Sequence, residues 1–447
     1  VLLDASYRQL WRIALPLMGS ILVHQLVGVV DTRFMAELST ERSAPLAAVG
    51  LASLVFMMLS GIPMAFSTGG QIMVARRAGE GRTREVGELV DHALVHFVGV
   101  GLLLLAVLLL GLPPLLRTAL ASAEVARLTT TYLHWRAAEL PVLGVYMAFN
   151  ALFAGLGRTR VLFWSTLWMT GTNVVLDYAL VFGRFGFPRM EIAGAGLASF
   201  LAAVVATAFL AWRAAEPAFR REHDLFRRRS WNGALVGRLN ALSGPMVVQF
   251  MMGSGVWFYF FTRLERLGED ALAVSNVVKL LYMLLGTATW GLGNAVNTLV
   301  SNLMGQGRTD DVLVVLRRSL VLGTGLATVA AALLAVWPQG WLRLFTVERP
   351  DLVALGVQPL LVAAGALVWM AAAVAVFRTV TGVGATRWSL LAELSALPVY
   401  LLYVELVIGR WELGLGWAWA SEFVYWTVTG LACAAYLRWG RWREIIV

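Results

Sequence analysis

Charge is scarce in this sequence. Asp, Glu, Lys and Arg together make up 14% of it, where a typical soluble domain carries about 25%. Too few charged groups remain to cover a water-facing surface, and an ordinary soluble fold is excluded. Cysteine is nearly absent as well. Cys433 stands alone in an apolar stretch, so no disulfide and no cysteine-based metal site can form within the chain. Lysine occurs once, at Lys279, and the net charge of +9 is carried almost wholly by arginine. Alternating segments of roughly 10 residues, the mark of a membrane β-barrel, are not evident. The first hydrophobic segment lacks a small-residue cleavage pattern and reads as a retained helix, not a signal peptide.

What the chain does have is apolar length. It is 59% hydrophobic, with a mean hydropathy of +0.72. Runs such as Phe97–Leu115, Ala193–Trp212 and Leu320–Trp337 recur along it. A helix needs about 20 such residues to cross a bilayer, so the sequence implies an all-α polytopic membrane protein. Twelve spans are expected, at roughly 9–36, 44–68, 88–114, 125–152, 160–183, 191–213, 238–264, 270–302, 312–338, 352–378, 387–409 and 414–438. The most polar stretch, Arg213–Gly233, falls between the sixth and seventh. The domain reading is an N-lobe at 1–213, a cytoplasmic linker at 214–237 and a C-lobe at 238–447. Arginines follow the even-numbered spans: Arg76, Arg77, Arg82 and Arg84, then Arg158 and Arg160, the linker, Arg308, Arg317 and Arg318, Arg387, and Arg438, Arg441 and Arg443. Both termini and the linker are therefore expected on the cytoplasmic side. The basic charge sets orientation in a lipid bilayer, and no nucleic-acid partner is implied.

Two short phrases recur. "AGEGRTREV" (Ala78–Val86) and "MGQGRTDDV" (Met304–Val312) share Gly-x-Gly-Arg-Thr, and Gly79 and Gly305 lie 226 positions apart (305 − 79). "GLGRTR" (Gly155–Arg160) pairs with "GVGATR" (Gly382–Arg387) at 227 (387 − 160), and Pro16 with Pro245 at 229 (245 − 16). Matches at nearly one offset argue for duplication of a six-helix unit. Six is even, so both halves start on the same side and form parallel repeats, with a substrate site expected between them. The phrase itself is read as a loop: glycine in a left-handed turn, then Thr83 or Thr309 capping the next helix with acids in its first turn. A phosphate-binding P-loop would need a Lys-Ser/Thr ending after a strand, which neither copy has.

Ionisable groups inside spans cost at least ~2.5 kcal/mol each on insertion scales and ask for a reason. His24 and Asp31 lie two turns apart in span 1, Asn173 and Asp177 one turn apart in span 5, and Glu139 precedes Leu140-Pro141 in span 4. Two carboxylates in low dielectric raise each other's proton affinity. Asp31 and Asp177, lined by Asn173, would hold one proton or a small hard cation such as sodium. The second half carries Lys279, Glu393, Glu405 and Glu422 instead. Lys279 and Glu422 are a candidate buried pair, and Glu405 a candidate interfacial partner of Arg410.

These residues resemble the multidrug and toxic compound extrusion (MATE) family. The resemblance rests on "LPLMGSILVHQLVGVVDTRFM" (Leu15–Met35), "GLGRTR", "TNVVLDYALVF" (Thr172–Phe182) and "IAGAGLASF" (Ile192–Phe200), and it covers essentially the whole chain. It implies two bundles around a V-shaped cleft and, as function, a secondary antiporter. That antiporter would export amphipathic and cationic organic compounds in exchange for H+ or Na+ by rocking between two access states. It also implies a cation site of Asp31, Asn173 and Asp177 in the N-lobe. Ser199 stands where many members have threonine, and Pro16 where some have a bend in span 1. His24, Glu139 and Lys279 are accessory candidates. Positions where one branch, NorM-like, has C-lobe acids fall near Gly253 and Met370, so the DinF-like branch is expected to fit better. The expected protein is a functional monomer in a bacterial inner membrane, without cofactor and without enzymatic activity. A lipid-linked precursor flippase of the same superfamily is the alternative. A membrane-embedded enzyme would need HExxH or a Ser/His pair at one depth, and neither is found.

Overall fold

The protein is described here from a computed structural model covering residues 2–38, 44–119, 122–227, 229–345 and 349–446, with backbone alone at 29–33, 35–38, 44–46, 117 and 119. Among these residues the regular structure is entirely helical. The long helices are α1 (Tyr7–Leu38), α2 (Ala44–Gly79), α3 (Thr83–Ala106), α4 (Ala123–Ala137), α5 (Glu139–Gly155), α6 (Thr159–Phe182) and α7 (Glu191–Ala214). They continue with α8 (Gly233–Leu264), α9 (Glu269–Gly305), α10 (Thr309–Val336), α11 (Pro350–Gly382), α12 (Thr386–Val404) and α13 (Ser421–Trp439). α3 runs on through a wide turn, Val107–Gly111, into Leu112–Ala119. α4 and α5 are one rod bent by 43°. Among the described residues eight helices are long and apolar enough to cross a membrane, and the bent pair makes a ninth. The other three rods, α6, α8 and α13, are long but less apolar; α6 holds Asn173 and Asp177. Eight, one and three make twelve, so the fold is the all-α, polytopic, twelve-rod architecture.

The rods depart from the expected spans in places. α2 was expected to stop near residue 68, yet it continues to Gly79. The run Ser67-Thr68-Gly69-Gly70 looks like a loop but is a packing face. Ser67 donates to Asn150 at 3.3 Å, a Cβ at Gly69 would lie 2.0 Å from Ser243 Oγ, and one at Gly70 would lie 3.1 Å from Ala151. Glycine here permits the close helix approach that drives association in lipid.

By contact the chain divides into two compact units, 19–247 and 2–18 with 248–447. The first segment of α1 packs in the second unit and the first segment of α8 in the first unit. Each change of unit falls two or three residues after a proline, Pro16 or Pro245, inside a continuous helix.

The repeat is visible in the packing. In unit 1, a Cβ at Gly155 would lie 2.7 Å from Val74 and 2.8 Å from the Gln71 carbonyl. In unit 2, one at Gly382 would lie 3.0 Å from Val300 and 3.1 Å from the Asn297 carbonyl. Val74 and Gln71 plus 226 are Val300 and Asn297, so the same contact is built twice. The loops match as well: Gly81 and Gly307 turn at φ +75° and +73°. Thr83 and Thr309 do not cap. They are the first helical residues, and Arg82 and Arg308 hold the preceding position without a side-chain cap bond. The left-handed turn falls on the second glycine of each phrase, one step later than a cap at threonine requires. The first-turn acids meet arginine instead, Arg77 with Glu85 at 3.3 Å and Arg308 with Asp311 at 2.6 Å.

The linker is docked, not free. After a short helix, Pro217–His223, the chain lies on α3. Asp91 accepts from the Phe226 and Arg227 amides at 2.9 and 3.2 Å, and His92 Nε2 accepts from the Asn232 amide at 2.9 Å. Phe219 stacks on Phe153 with centroids 5.5 Å apart. His223 is fully buried, and burial holds its imidazole below the usual histidine range; the Phe219 carbonyl and Glu222 oppose the shift, and Arg158 adds to it.

Two outcomes follow. Gly194→Val should destabilise unit 1 by about 1–3 kcal/mol through overpacking, because a Cβ there would lie 2.8 Å from the Leu180 backbone. Gly171→Ala, with no atom within 4 Å of the added carbon, should be neutral or stabilising by up to ~1 kcal/mol. Melting temperatures in detergent, followed by tryptophan fluorescence, check both. A buried neutral His223 favours the docked linker above the ordinary histidine pKa of about 6.5 and weakens it as pH falls below that. Amide-exchange protection over residues 219–230 should therefore drop between pH 7.5 and 5.5. In His223→Leu that drop should disappear.

Candidate functional site

The expected cation site draws on α1, α6 and α7. α1 and α6 lie side by side and run the same way. A Cβ at Gly19 would lie 2.8 Å from Phe163, and the Phe34 ring sits 6.4 Å from Tyr178 and 5.6 Å from Phe182. The offsets are 144 for Gly19–Phe163 and Phe34–Tyr178 (163 − 19 and 178 − 34) and 148 for Phe34–Phe182 (182 − 34). That register brings the Asp31 backbone level with residues 175–179 (31 + 144 to 31 + 148), beside Asp177. Asp31 lies on the α1 backbone at that level; its side chain lies outside the described residues.

The α6 face is built from buried polar groups. Asn173 is 4% exposed and Asp177 2%, one turn apart on one face. Asn173 Nδ2 lies 3.5 Å from Ser199 Oγ on α7. Two glycines of "IAGAGLASF" allow this approach. Gly194 abuts the Leu180 backbone of α6, and Gly196 abuts Tyr132 and Trp135 of α4. Asn173 Oδ1 is buried and accepts no hydrogen bond among the described residues. Thr170 Oγ1, one turn earlier, is in the same position. Thr170, Asn173 and Asp177 line up at i, i+3 and i+7. The sequence pattern held this signal, but Thr170 was not singled out. A cation bound by oxygen suits such a face, since buried acceptors without donors are costly. Among the described residues no three His, Cys, Asp or Glu side chains gather as a metal cluster.

The accessory candidates separate from this face. Pro16 is half-buried inside α1. His24 is exposed on α1. Glu139 opens α5 at the bend, where Arg136 Nη1 donates to it at 2.6 Å, and that guanidinium also lies 3.8 Å from the Phe56 ring centroid. Glu139 is thus one half of a buried ion pair. Its partner, three residues before it, was legible in the sequence and was overlooked.

In unit 2, Lys279 does not pair with Glu422. The ammonium sits 4.5 Å from the Phe261 ring centroid. Glu422 Oε2 accepts from Tyr282 Oη at 2.9 Å and Trp426 Nε1 at 3.1 Å. An acid can be satisfied by neutral aromatic donors, which a reading that looked for opposite charge passes over. Glu405 meets Arg263 at 3.0 Å and Tyr259 at 2.8 Å, not Arg410. Glu393 accepts from Tyr425 at 3.1 Å. With the offset of 227, Asn173 and Asp177 correspond to Tyr400 and Val404 (173 + 227, 177 + 227), both buried. Unit 2 therefore has no copy of the α6 face.

Twelve rods, an internal repeat and a buried polar face in one half define a polytopic membrane transporter fold. The MatE family pattern matches residues 16–179 and 245–404, once in each half. The chain belongs to the MatE family, whose members are membrane transporters. It is 27% identical over 449 residues to a probable multidrug resistance protein NorM of Rhizobium meliloti, covering 96% of this chain and 92% of that one. It is 26% identical to multidrug resistance protein PmpM of Pseudomonas aeruginosa, covering 86% and 78%. The Vibrio cholerae MATE transporter VcmN in its bent form superposes with a TM-score of 0.87 at 19% identity, over 98% of each chain. A leaning toward the DinF-like branch is not supported, because the relatives of Rhizobium meliloti and Thermotoga maritima carry the name NorM. Gly253 and Met370 do lack acids, Met370 instead lying 3.2 Å from Tyr282 Oη through its sulfur. Two missing acids do not outweigh likeness along the whole chain.

Glu139→Gln should leave Arg136 buried without its carboxylate. A loss of about 3 kcal/mol is expected, at the low end for a broken buried pair because the Phe56 contact remains. Thermal denaturation in detergent measures it, and an unchanged midpoint would remove the structural role assigned to this pair.

Proposed function

We propose that the protein is a secondary antiporter that exports amphipathic and cationic organic compounds in exchange for H+ or Na+. The observation that carries this reading is the buried Asn173–Asp177 face of α6, and the packing of α1 beside α6 supports Asp31 as its neighbour. The names of the relatives, multidrug resistance proteins, support the substrate class. In this reading Asp31, Asn173 and Asp177 are the coupling site, lined by Ser199. A carboxylate held in low dielectric binds whatever neutralises it. Two carboxylates at one level readily share a single proton, so a proton is the preferred coupling ion. Buried amide and hydroxyl oxygens would serve sodium at the same face. Binding and release on opposite sides of the membrane would bias alternating access, with Pro16, which removes one backbone hydrogen bond from α1, supplying the point where that helix can bend. The arginine distribution supports cytoplasmic termini, and the bacterial relatives support a bacterial inner membrane.

The test is efflux of a fluorescent organic cation from proteoliposomes with an imposed proton or sodium gradient. The wild type should respond to one of the two gradients. Asp177→Asn should lose gradient-driven efflux to the level of empty liposomes while keeping a monodisperse, folded protein. Undiminished coupled efflux by the folded variant would sink the assignment.

A further inference from the structure

Unit 2 carries an open groove of about 540 Å3 at the start of α10, lined by Tyr7, Leu313, Val314, Arg317, Arg318 and Val321. The repeat shows what the same face does in unit 1. Subtracting 226 from 313, 314, 317, 318 and 321 gives Gly87, Glu88, Asp91, His92 and Val95 on α3. Four of these hold the docked linker. A Cβ at Gly87 would lie 2.1 Å from the His223 carbonyl, Glu88 accepts from Asn232 Nδ2 at 3.0 Å, and Asp91 and His92 accept linker amides. In unit 2 the glycine is leucine, the two acids are valine and arginine, and the histidine is arginine. The face has become apolar and basic, and among the described residues it carries no linker; the N-terminal segment meets it at Arg318, through Ala5 and Tyr7.

Its basic pair has no carboxylate partner among the described residues. Asp310 is engaged by Arg443 at 3.0 Å and Asp311 by Arg308 at 2.6 Å. Arg318 is fixed from behind: it donates to the Ala5 carbonyl, and its guanidinium lies 5.0 Å from the Tyr7 ring centroid. Asp4 lies near enough for Arg308 and Arg318 to lower its pKa, but its carboxylate is turned to Ser6, whose amide it accepts at 2.8 Å. Arg317 is exposed. Two guanidiniums, Arg318 fixed and Arg317 open, lie two turns into a membrane helix, with Leu313 and Val314 one turn nearer its start and Val321 one turn deeper. The geometry points to a binding site for one anionic phospholipid, its phosphate held by Arg317 and Arg318 and its chains running deeper along Val321. On the orientation proposed above this is a lipid of the cytoplasmic leaflet, but the site stands independently of the coupling ion and of the substrate.

Native mass spectrometry of the detergent-solubilised full chain, titrated with phosphatidylglycerol or phosphatidylcholine, tests it. One saturable phosphatidylglycerol should bind, with phosphatidylcholine much weaker. Arg317→Gln should weaken phosphatidylglycerol binding about fivefold and Arg317→Gln with Arg318→Gln about 25-fold, by the usual worth of one surface arginine at an anionic lipid. Arg317 is exposed and makes no hydrogen bond or ion pair among the described residues, so the single variant stays interpretable if the double one does not fold. Equal binding of the two lipids, or an unaltered affinity in Arg317→Gln, would overturn the proposal. So would displacement by glycerol 1-phosphate at the lipid's own concentration, which would make this a free-anion site. A dimer that Arg317→Gln dissociates would mean the groove seats a second copy, and would overturn it as well.

Discussion

A bilayer interior supplies no hydrogen-bond partners, so every polar group taken into it must be answered by the chain itself. This constraint orders the structure. Glu139 is answered by Arg136, Glu422 by Tyr282 and Trp426, Glu393 by Tyr425, and Asn173 by Ser199. The answers that cross from one rod to another require helices close enough to touch, and for Asn173 and Ser199 glycine provides the distance. Without Gly194 and Gly196, α7 would stand off from α6 and α4, and the Ser199 hydroxyl would not reach Asn173. The polar face and the apolar packing are therefore one arrangement.

The two halves share a scaffold and differ in what they place on it. The Gly155 and Gly382 contacts, the left-handed turns at Gly81 and Gly307 and the prolines Pro16 and Pro245 recur at nearly one offset. Backbone geometry has been kept where helices meet. Side chains facing inward have not: Asn173 and Asp177 stand opposite Tyr400 and Val404, and the acid of unit 2, Glu422, lies on a rod whose unit 1 counterpart is Ala195 (422 − 227).

Much of this was legible from residue order, because membrane helices are written in long apolar runs and glycine-arginine loops. The twelve rods and the repeat came from those signals. Misreadings came where one residue type serves two purposes. The expected end of the second span, near residue 68, falls inside Ser67-Thr68-Gly69-Gly70, which is a helix face, because small residues also mean close packing in lipid. Thr83 and Thr309 have the composition of caps and begin helices. The partners of Glu422 and Glu405 were missed because contacts across rods depend on helix rotation, which one sequence without an alignment does not fix. Asn173 and Asp177 were picked out by their helical spacing inside an apolar rod, and Ser199 by the family resemblance alone.

The near-absence of lysine has a consequence for how the molecule responds to acidity. Guanidinium groups keep their proton under all physiological conditions. The cations inside or beside the rods, Arg76, Arg136 and Arg378, are thus permanent fixtures of the interior. The acids and the five histidines are not. The arginine field within the protein is a constant background, and any change in its internal charge with pH is written by its acids and histidines, with Lys279 as the one lysine that can join them.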